Sequence, residues 1–182
     1  TPENLISGEV GSEGGRLFMK VVFLDVDGVL NTETPTKEQV ASGNLIDEDK
    51  VSLLQGITGP TGASVVLHSG WRSWLGERME PLRPESQLLV ELLQKYHIPL
   101  GGKTPDLTTR EIRRLKRFSQ VKGEEILLWL AMHPETDRYV ILEDLDLHRE
   151  ELRPFHVRID PSVGLTPMDV LRAVEILTQE PA

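Results

Sequence analysis

The sequence contains no cysteine in 182 residues. This absence excludes disulfide bonds, thiolate metal sites and cysteine nucleophiles, and it fits a reducing compartment, so we expect a cytoplasmic protein. No apolar run approaches the roughly 18 residues that a membrane-spanning helix needs, and no signal peptide is visible, so we expect no membrane partner. A surplus of positive charge is also lacking. The formal net charge of −9 argues against non-specific nucleic-acid binding by the whole surface, but it leaves room for a local basic patch.

Length and composition favour one globular domain. Hydrophobic residues make up 38% and charged residues 27% of the chain, which are ordinary fractions for a globular protein. A chain of this length can bury one sizeable core. The first 18 residues differ because they are rich in Gly, Glu and Ser. We expect residues 1–18 to be a leader or an appended segment, and residues 19–182 to form a single domain.

Hydrophobic periodicity and chain breakers predict strands that alternate with helices. Strands are expected at 21–24, 64–67, 98–100, 139–142 and 155–159. Helices are expected at 47–55, 85–96, 110–117, 124–132 and 167–178, with at most one helix between the first two strands. Strands separated by helices predict the α/β class, with a mainly parallel sheet and helices on both faces.

Two aspartates follow the first predicted strand and stand one residue apart, in Asp25-Val26-Asp27-Gly28. Two carboxylates so close repel each other, and a cation or a proton relieves the repulsion. Gly28 indicates that the chain leaves the strand here, with freedom for a positive φ. Ligands of open α/β sheets collect at the carboxyl ends of the strands. Phosphoryl chemistry with Mg²⁺ would sit at this edge of the sheet.

Three further polar signals follow predicted strands or open helices. His68-Ser69-Gly70-Trp71-Arg72 follows the second strand. Lys122-Gly123-Glu124 opens a predicted helix, and Glu143-Asp144-Leu145-Asp146 follows the strand at 139–142. The carboxyl ends of parallel strands meet at one edge of a sheet, so these groups can converge on the first pair of aspartates.

These four segments, in this order, resemble the four motifs of the haloacid dehalogenase-like (HAD) superfamily of phosphatases and phosphotransferases. The resemblance runs from about residue 19 to 177, and it extends to a compact subgroup, some members of which occur in bacterial RNA-repair proteins. The segments that carry the subgroup likeness are 67–72, 140–144 and 164–166. The resemblance implies a three-layer Rossmann-like HAD fold with a minimal cap, and a HAD-like catalytic domain over residues 19–182.

The resemblance also implies a role for each matching residue. Asp25 would be the nucleophile and Asp27 the general acid and base. Ser69 would contact the transferring phosphoryl group with Gly70 and Arg72, and Lys122 would offset its negative charge. Mg²⁺ would bind Asp25, the backbone carbonyl of Asp27, Asp144 and, directly or through water, Glu143.

Several assignments stay open at this stage. The subgroup usually has Asp where this chain has Glu143, whose longer side chain would either bind the metal through water or crowd the site, and Asp146 is a substitute second acid. Lys103, Lys116 and Arg117 are rivals of Lys122. Arg72 has two interpretations, pairing with a surface acid or contact with a substrate phosphate, and Trp71 suits core or lid packing better than base stacking. Five histidines lack metal-ligand spacing, and we interpret them as structural or exposed: His68, His97, His133, His148 and His156.

The segment 110–117, Arg-Glu-Ile-Arg-Arg-Leu-Lys-Arg, carries five cations in an acidic chain. If it is helical, several of its arginines lie on adjoining turns and can face one phosphate backbone. The alternative is a solvated helix face.

The sequence thus predicts a Mg²⁺-dependent phosphatase that acts through an aspartyl-phosphate on Asp25. The substrate would be a phosphorylated small molecule or a nucleic-acid phosphate end. The alternatives are a dedicated nucleic-acid end phosphatase, a catalytically weak HAD-like binding module and a phospho-accepting receiver domain. A built-in general base at Asp27 favours hydrolysis over stable phosphorylation.

Overall fold

A computed structural model of the protein describes residues 19–179. Its centre is a five-stranded sheet in which all pairs are parallel, in the order β3–β2–β1–β4–β5. The strands are β1 Met19–Leu24, β2 Ser64–Leu67, β3 Leu100–Lys103, β4 Thr136–Glu143 and β5 His156–Arg158. The central strand β1 lies between β2 and β4, so the chain changes its direction of winding there.

Helices connect the strands. The α-helices are α1 Lys37–Ser42, α2 Glu48–Thr61, α3 Pro84–Lys95, α4 Arg110–Leu115, α5 Ser119–Met132 and α6 Pro167–Thr178. Short 3-10 helices cover Gly70–Trp74 and Glu150–Phe155. No helix within residues 19–179 is both long and apolar enough to cross a membrane.

The sheet is buried on both faces. Alternate residues of β1 separate into two clusters, because successive side chains of a strand point to opposite faces. Val22 and Leu24 belong to one cluster, which also contains buried residues of α2, α3 and α6. Val21 and Phe23 belong to the other, against Trp129 of α5. The structure therefore confirms the predicted three-layer α/β architecture.

The sequence patterns placed some boundaries wrongly. The predicted helix at 47–55 runs on to Thr61, past Gly56, Gly59 and Pro60, because buried Ile57 and Thr61 anchor its last turns. The predicted strand at 98–100 begins at Leu100 and includes Gly101 and Gly102, a pair with low strand propensity.

Two corrections bear on the site. The prediction of at most one helix between the first two strands is wrong, because α1 precedes α2 and is capped by Thr36 and Gln39. The predicted helix at 124–132 begins at Ser119, so Lys122 lies in its first turn rather than before it. The connection from β1 to β2 nevertheless adds only the short helix α1 beyond the core helix α2, as a minimal cap requires. The predicted leader, residues 1–18, lies outside the described residues.

Candidate active site

The ends of β1, β2 and β4 are in register. Leu24 pairs with Leu67 on one side and with Leu142 on the other. The Asp25 amide donates to the Leu142 carbonyl at 3.1 Å, and the His68 amide donates to the Leu24 carbonyl at 2.7 Å. The residues that follow these strands therefore start from one level and converge.

An acidic cluster forms where β1 and β4 end. Carboxylate oxygens of Asp25, Glu143 and Asp144 lie within 4.8 Å of one another, and no other such cluster occurs in the part of the chain that the structure describes. Asp25 is 5% exposed and Glu143 is fully buried. Burial, and then repulsion by Glu143, raise the pKa of Asp25 well above its ordinary value. Burial likewise raises the pKa of Glu143 to about 7. The cluster is thus short of positive charge.

Lys122 supplies part of that charge. Its Nζ donates to Glu143 Oε2 at 2.7 Å and lies 3.7 Å from Asp25 Oδ1. Burial opposes its charged form, but attraction to Asp25, Glu143 and Asp144 outweighs burial and raises the pKa of Lys122. The ammonium therefore stays charged beside the cluster at neutral pH.

The rivals of Lys122 lie elsewhere. Lys103 Nζ donates to the carbonyls of Arg72 and Leu75, which fixes the end of the 3-10 helix Gly70–Trp74. Lys116 and Arg117 are exposed beyond the end of α4. Asp146 is exposed and accepts from the His148 amide at 2.8 Å, and it is not a member of the acidic cluster.

Asp27 lies outside this cluster but is held on both carboxylate oxygens. Asn31 Nδ2 donates to Asp27 Oδ1 at 3.1 Å, and Trp71 Nε1 donates to Asp27 Oδ2 at 3.2 Å. Asn31 also accepts from the Gly28 amide at 2.8 Å and donates to the Leu45 carbonyl at 2.9 Å. The contacts of Asn31 and of Trp71 with Asp27 were not predicted from the sequence. The signal for Asn31 was a side-chain amide three residues after Gly28, a spacing that suits a turn.

Ser69 is buried and begins the 3-10 helix Gly70–Trp74. Its Oγ accepts from the Trp71 amide at 3.2 Å, so the hydroxyl proton can still be donated to a bound oxygen. Gly70 is exposed, and a Cβ added there would meet nothing within 4 Å. The capping role of Ser69 and a phosphate contact are therefore compatible.

Arg72 points away from the surface and into a buried ion pair. Its Nη1 donates to Thr104 Oγ1 at 2.9 Å, and its Nη2 donates to Glu125 Oε2 at 2.5 Å. Asp106 Oδ1 lies 3.4 Å from Nη2. Arg72 is 7% exposed and Glu125 1%, so the partner is a buried acid, and both terminal nitrogens have protein partners. This geometry favours a structural role for Arg72.

His68 fills the space behind the site. Its Nδ1 lies 3.8 Å from Glu143 and its Nε2 lies 3.6 Å from Glu125, both beyond hydrogen-bond range. Burial, opposed in part by Glu125, lowers the pKa of His68 to about 4. A neutral ring therefore separates the two glutamates at neutral pH, which agrees with a structural role.

Gly28 sets the space available to Asp144. Its φ is +82°, in the left-handed region. A Cβ at this position would lie 2.7 Å from Asp144 Oδ2 and 2.9 Å from its Cγ. Both the backbone conformation and the close approach require glycine here.

We expect Gly28→Ala to displace the Asp144 carboxylate and to weaken Mg²⁺ binding by about tenfold or more, measured by calorimetric titration with MgCl₂. Gly62→Ala is the matched control, because Gly62 has a φ of +70° and an added Cβ meets nothing within 4 Å. Both variants should lose about 1 kcal/mol of stability from backbone strain. Equal Mg²⁺ affinity in the two variants would contradict the role given to Gly28.

Burial raises the pKa of both Asp25 and Glu143, so between pH 4.5, the ordinary pKa of a glutamate, and about 7 this pair of carboxyl groups holds more protons than it does in the unfolded chain. The stability due to this pair therefore falls as the pH rises through that window. We expect the stability of Glu143→Gln relative to the wild type to increase by a few kcal/mol as the pH rises from 4.5 to 7, in urea unfolding with EDTA, because the change removes one of the two raised carboxyl groups and part of the cause of the raised pKa of Asp25.

His68 has the opposite dependence, because its lowered pKa adds stability as the pH rises from about 4 to 6.5. The contribution of His68 is the same in the wild type and in Glu143→Gln, so it cancels when the stabilities of the two are subtracted. Glu111→Gln is the control, because Glu111 is exposed and its replacement shows what a change from glutamate to glutamine does to stability without burial. A stability difference that is constant or falls with pH would show that Glu143 is ionised across the range.

The comparisons with known proteins agree with this geometry. Residues 21–170 match the family described as the HAD domain in Swiss Army Knife RNA repair proteins. No curated protein matches the chain significantly. The matched region includes all of the acidic cluster, Lys122 and the 3-10 helix Gly70–Trp74. The chain therefore belongs to the family of HAD domains found in Swiss Army Knife RNA repair proteins.

Proposed function

We propose that the chain is a Mg²⁺-dependent phosphomonoester hydrolase that forms an aspartyl-phosphate on Asp25. Family membership implies activity of the hydrolase or phosphatase type. The mechanism is supported by the convergence of Asp25, Glu143 and Asp144 around one ammonium, that of Lys122. The cytoplasmic location expected from the absence of cysteine stays a prediction.

The donor set fits Mg²⁺. This ion prefers oxygen ligands, and a few carboxylates together with waters and substrate oxygens complete its shell. The raised pKa values of Asp25 and Glu143 indicate that the cluster needs more positive charge than Lys122 provides. Asp25, Asp144 and the backbone carbonyl of Asp27 would hold the ion. Glu143, whose Oε2 accepts from Lys122 and whose Oε1 lies 3.3 Å from the Leu145 amide, would contact it through water.

The bound ion would neutralise charge on the transferring phosphoryl group and align it with the nucleophile. In the first step an Asp25 carboxylate oxygen forms a bond to phosphorus while the bond from phosphorus to the leaving oxygen breaks. The carboxyl group of Asp27 gives its proton to that oxygen. In the second step a water gives a proton to Asp27 and attacks phosphorus, which releases phosphate and restores the Asp25 carboxylate.

Ser69, the Gly70 amide and Lys122 would stabilise the phosphoryl oxygens. The Ser69 hydroxyl would donate to one oxygen, and the Lys122 ammonium would offset the charge that develops as the bonds exchange. Arg72 was expected among the substrate contacts, but its guanidinium is engaged by Thr104 and Glu125. We therefore propose that Arg72 acts on the substrate indirectly, by fixing the 3-10 helix that follows Ser69.

Hydrolysis of 4-nitrophenyl phosphate should require Mg²⁺ and Asp25. We expect EDTA to abolish it and Asp25→Asn to lower kcat by about a thousandfold or more. Acid quenching during turnover should leave a phosphate adduct on the wild type, detectable by mass spectrometry, and none on Asp25→Asn.

Asp137→Asn is the matched control for this experiment, because Asp137 is exposed at the opposite end of β4. EDTA-resistant hydrolysis, or turnover by Asp25→Asn, would refute the mechanism. Mg²⁺ binding by a wild type that turns over neither this substrate nor phosphorylated RNA would favour the binding module.

A nucleic-acid phosphate end is a second candidate substrate, favoured by the basic segment 110–117. Every arginine and lysine of the segment 110–117 is exposed. Arg113 pairs with Asp106 at 2.7 Å, whereas Arg114 and Arg117 make no ion pair among residues 19–179. Arg117 also precedes Lys122 by only five positions, so these cations lie on the segment that enters the site. Such a surface suits a phosphate backbone.

We expect Arg114→Gln combined with Arg117→Gln to raise KM by about tenfold for a short oligoribonucleotide with a terminal phosphate. The rate on 4-nitrophenyl phosphate should stay unchanged, and the salt dependence of the RNA reaction should weaken. Lys20→Gln with Arg138→Gln is the matched control, since these two cations lie opposite each other in neighbouring strands, at the amino ends of β1 and β4. Equal KM values in the two double variants would exclude the segment 110–117 from substrate binding.

A further inference from the structure

The 3-10 helix Gly70–Trp74 reaches the general acid through one side chain. Trp71 is 4% exposed and packs in the core with Leu75, yet its indole N–H points at Asp27 Oδ2 at 3.2 Å. A buried indole N–H normally finds a partner. Here that partner is the exposed carboxylate to which the proposed mechanism assigns both proton transfers.

Two donors from different parts of the chain restrain this carboxylate. Asn31 holds Oδ1 from the turn that Asp27 itself belongs to. Trp71 holds Oδ2 from the loop after β2, 44 positions away. A single donor leaves a carboxylate free to rotate about it, whereas donors on both oxygens fix the plane of the group. The contact from Trp71 is thus the one that ties Asp27 to the segment carrying Ser69.

The indole is itself firmly placed. The Trp71 amide donates to Ser69 Oγ at 3.2 Å, and its ring lies 5.0 Å from the ring of Trp74. Lys103 holds the carbonyls of Arg72 and Leu75. The donor that restrains Asp27 therefore belongs to a segment fixed at both ends.

We propose that Trp71 is a positioning residue for proton transfer by Asp27, which rests on the function proposed above. The indole N–H holds the carboxyl group where its proton can pass to the leaving oxygen as the bond from that oxygen to phosphorus breaks. This role differs from base stacking, because it uses the edge of the ring rather than its face. It also differs from plain core packing, because it depends on the N–H group.

The test uses leaving groups that differ in their need for a proton. A dinitrophenolate departs without protonation, whereas a phenolate depends on the general acid. Trp71→Phe should lower kcat/KM for phenyl phosphate by about tenfold and leave that for 2,4-dinitrophenyl phosphate within about twofold. The value of kcat/KM is the proper readout because it reports the step in which the leaving group departs. Asp27→Asn should change the ratio of the two values in the same direction and further.

Trp74→Phe is the matched control, because this neighbouring tryptophan of the same 3-10 helix is not a hydrogen-bond partner of Asp27. It should leave the ratio unchanged. A second variant replaces the Trp71 indole by benzothiophene, which keeps the ring shape and removes only the N–H. The ratio of kcat/KM values does not depend on the fraction of folded enzyme, so partial unfolding of a variant cannot imitate the expected result.

A ratio that changes with both replacements at position 71 and not with Trp74→Phe would support the proposal. An equal loss on both substrates, an unchanged ratio, or the same change in Trp74→Phe would overturn it, and the proposed function would stand as long as the wild type hydrolyses aryl phosphates. A wild type inactive on both substrates would overturn the proposed function, and this proposal with it.

Discussion

The repulsion among three carboxylates at the ends of β1 and β4 is the constraint on which the site depends. Asp25 and Glu143 are buried, and Asp144 approaches them closely, yet burial of uncompensated charge is expensive. Lys122 offsets part of it from the first turn of α5, and protons offset another part through the raised pKa values. A divalent cation would replace those protons. The imbalance that opposes the burial of these carboxylates would therefore favour the binding of a divalent cation.

The 3-10 helix Gly70–Trp74 connects this electrostatic centre with the rest of the site. Ser69 begins it, Trp71 reaches Asp27, and Arg72 reaches Glu125 at the buried side. The three side chains face three surroundings, because Ser69 has an extended backbone (φ −145°, ψ 159°), whereas Trp71 and Arg72 are successive residues of the 3-10 helix and point about 120° apart. Behind it, the neutral ring of His68 keeps Glu125 and Glu143 apart. The buried side of the site consequently contains the ion pair of Arg72 with Glu125 and the neutral ring of His68, in addition to apolar packing.

The sequence predicted the architecture and the main members of the site, because both depend on local patterns. Buried parallel strands are short apolar runs in the sequence, and the polar residues directly after them lie at the carboxyl edge of the sheet. The features that the sequence did not predict depend on contacts between residues that are far apart along the chain. The strand that contains Gly102 is formed by pairing with β2, where Gly102 lies opposite Val66 and the register shifts at Gly101. The continuation of α2 past Gly59 comes from burial of Ile57 and Thr61. Whether Arg72 faces a substrate or Glu125, and where the indole of Trp71 points, is likewise decided by residues far away in the chain.

The strand order has a consequence for how this site comes into being. The central strand β1 pairs with β2 and with the much later β4, and Leu24 meets Leu142 only after most of the chain has been made. Closing so long a loop lowers the chain entropy before the pairing of the strands can stabilise the sheet, and sheets dominated by such pairings fold slowly. Asp25 can therefore meet Glu143 and Asp144 only after β4 has been synthesised and has paired with β1. During synthesis, Asp25 and Ser69 would be present for some time before Lys122, Glu143 and Asp144. Metal affinity would then arise in one cooperative step, when β4 docks beside β1.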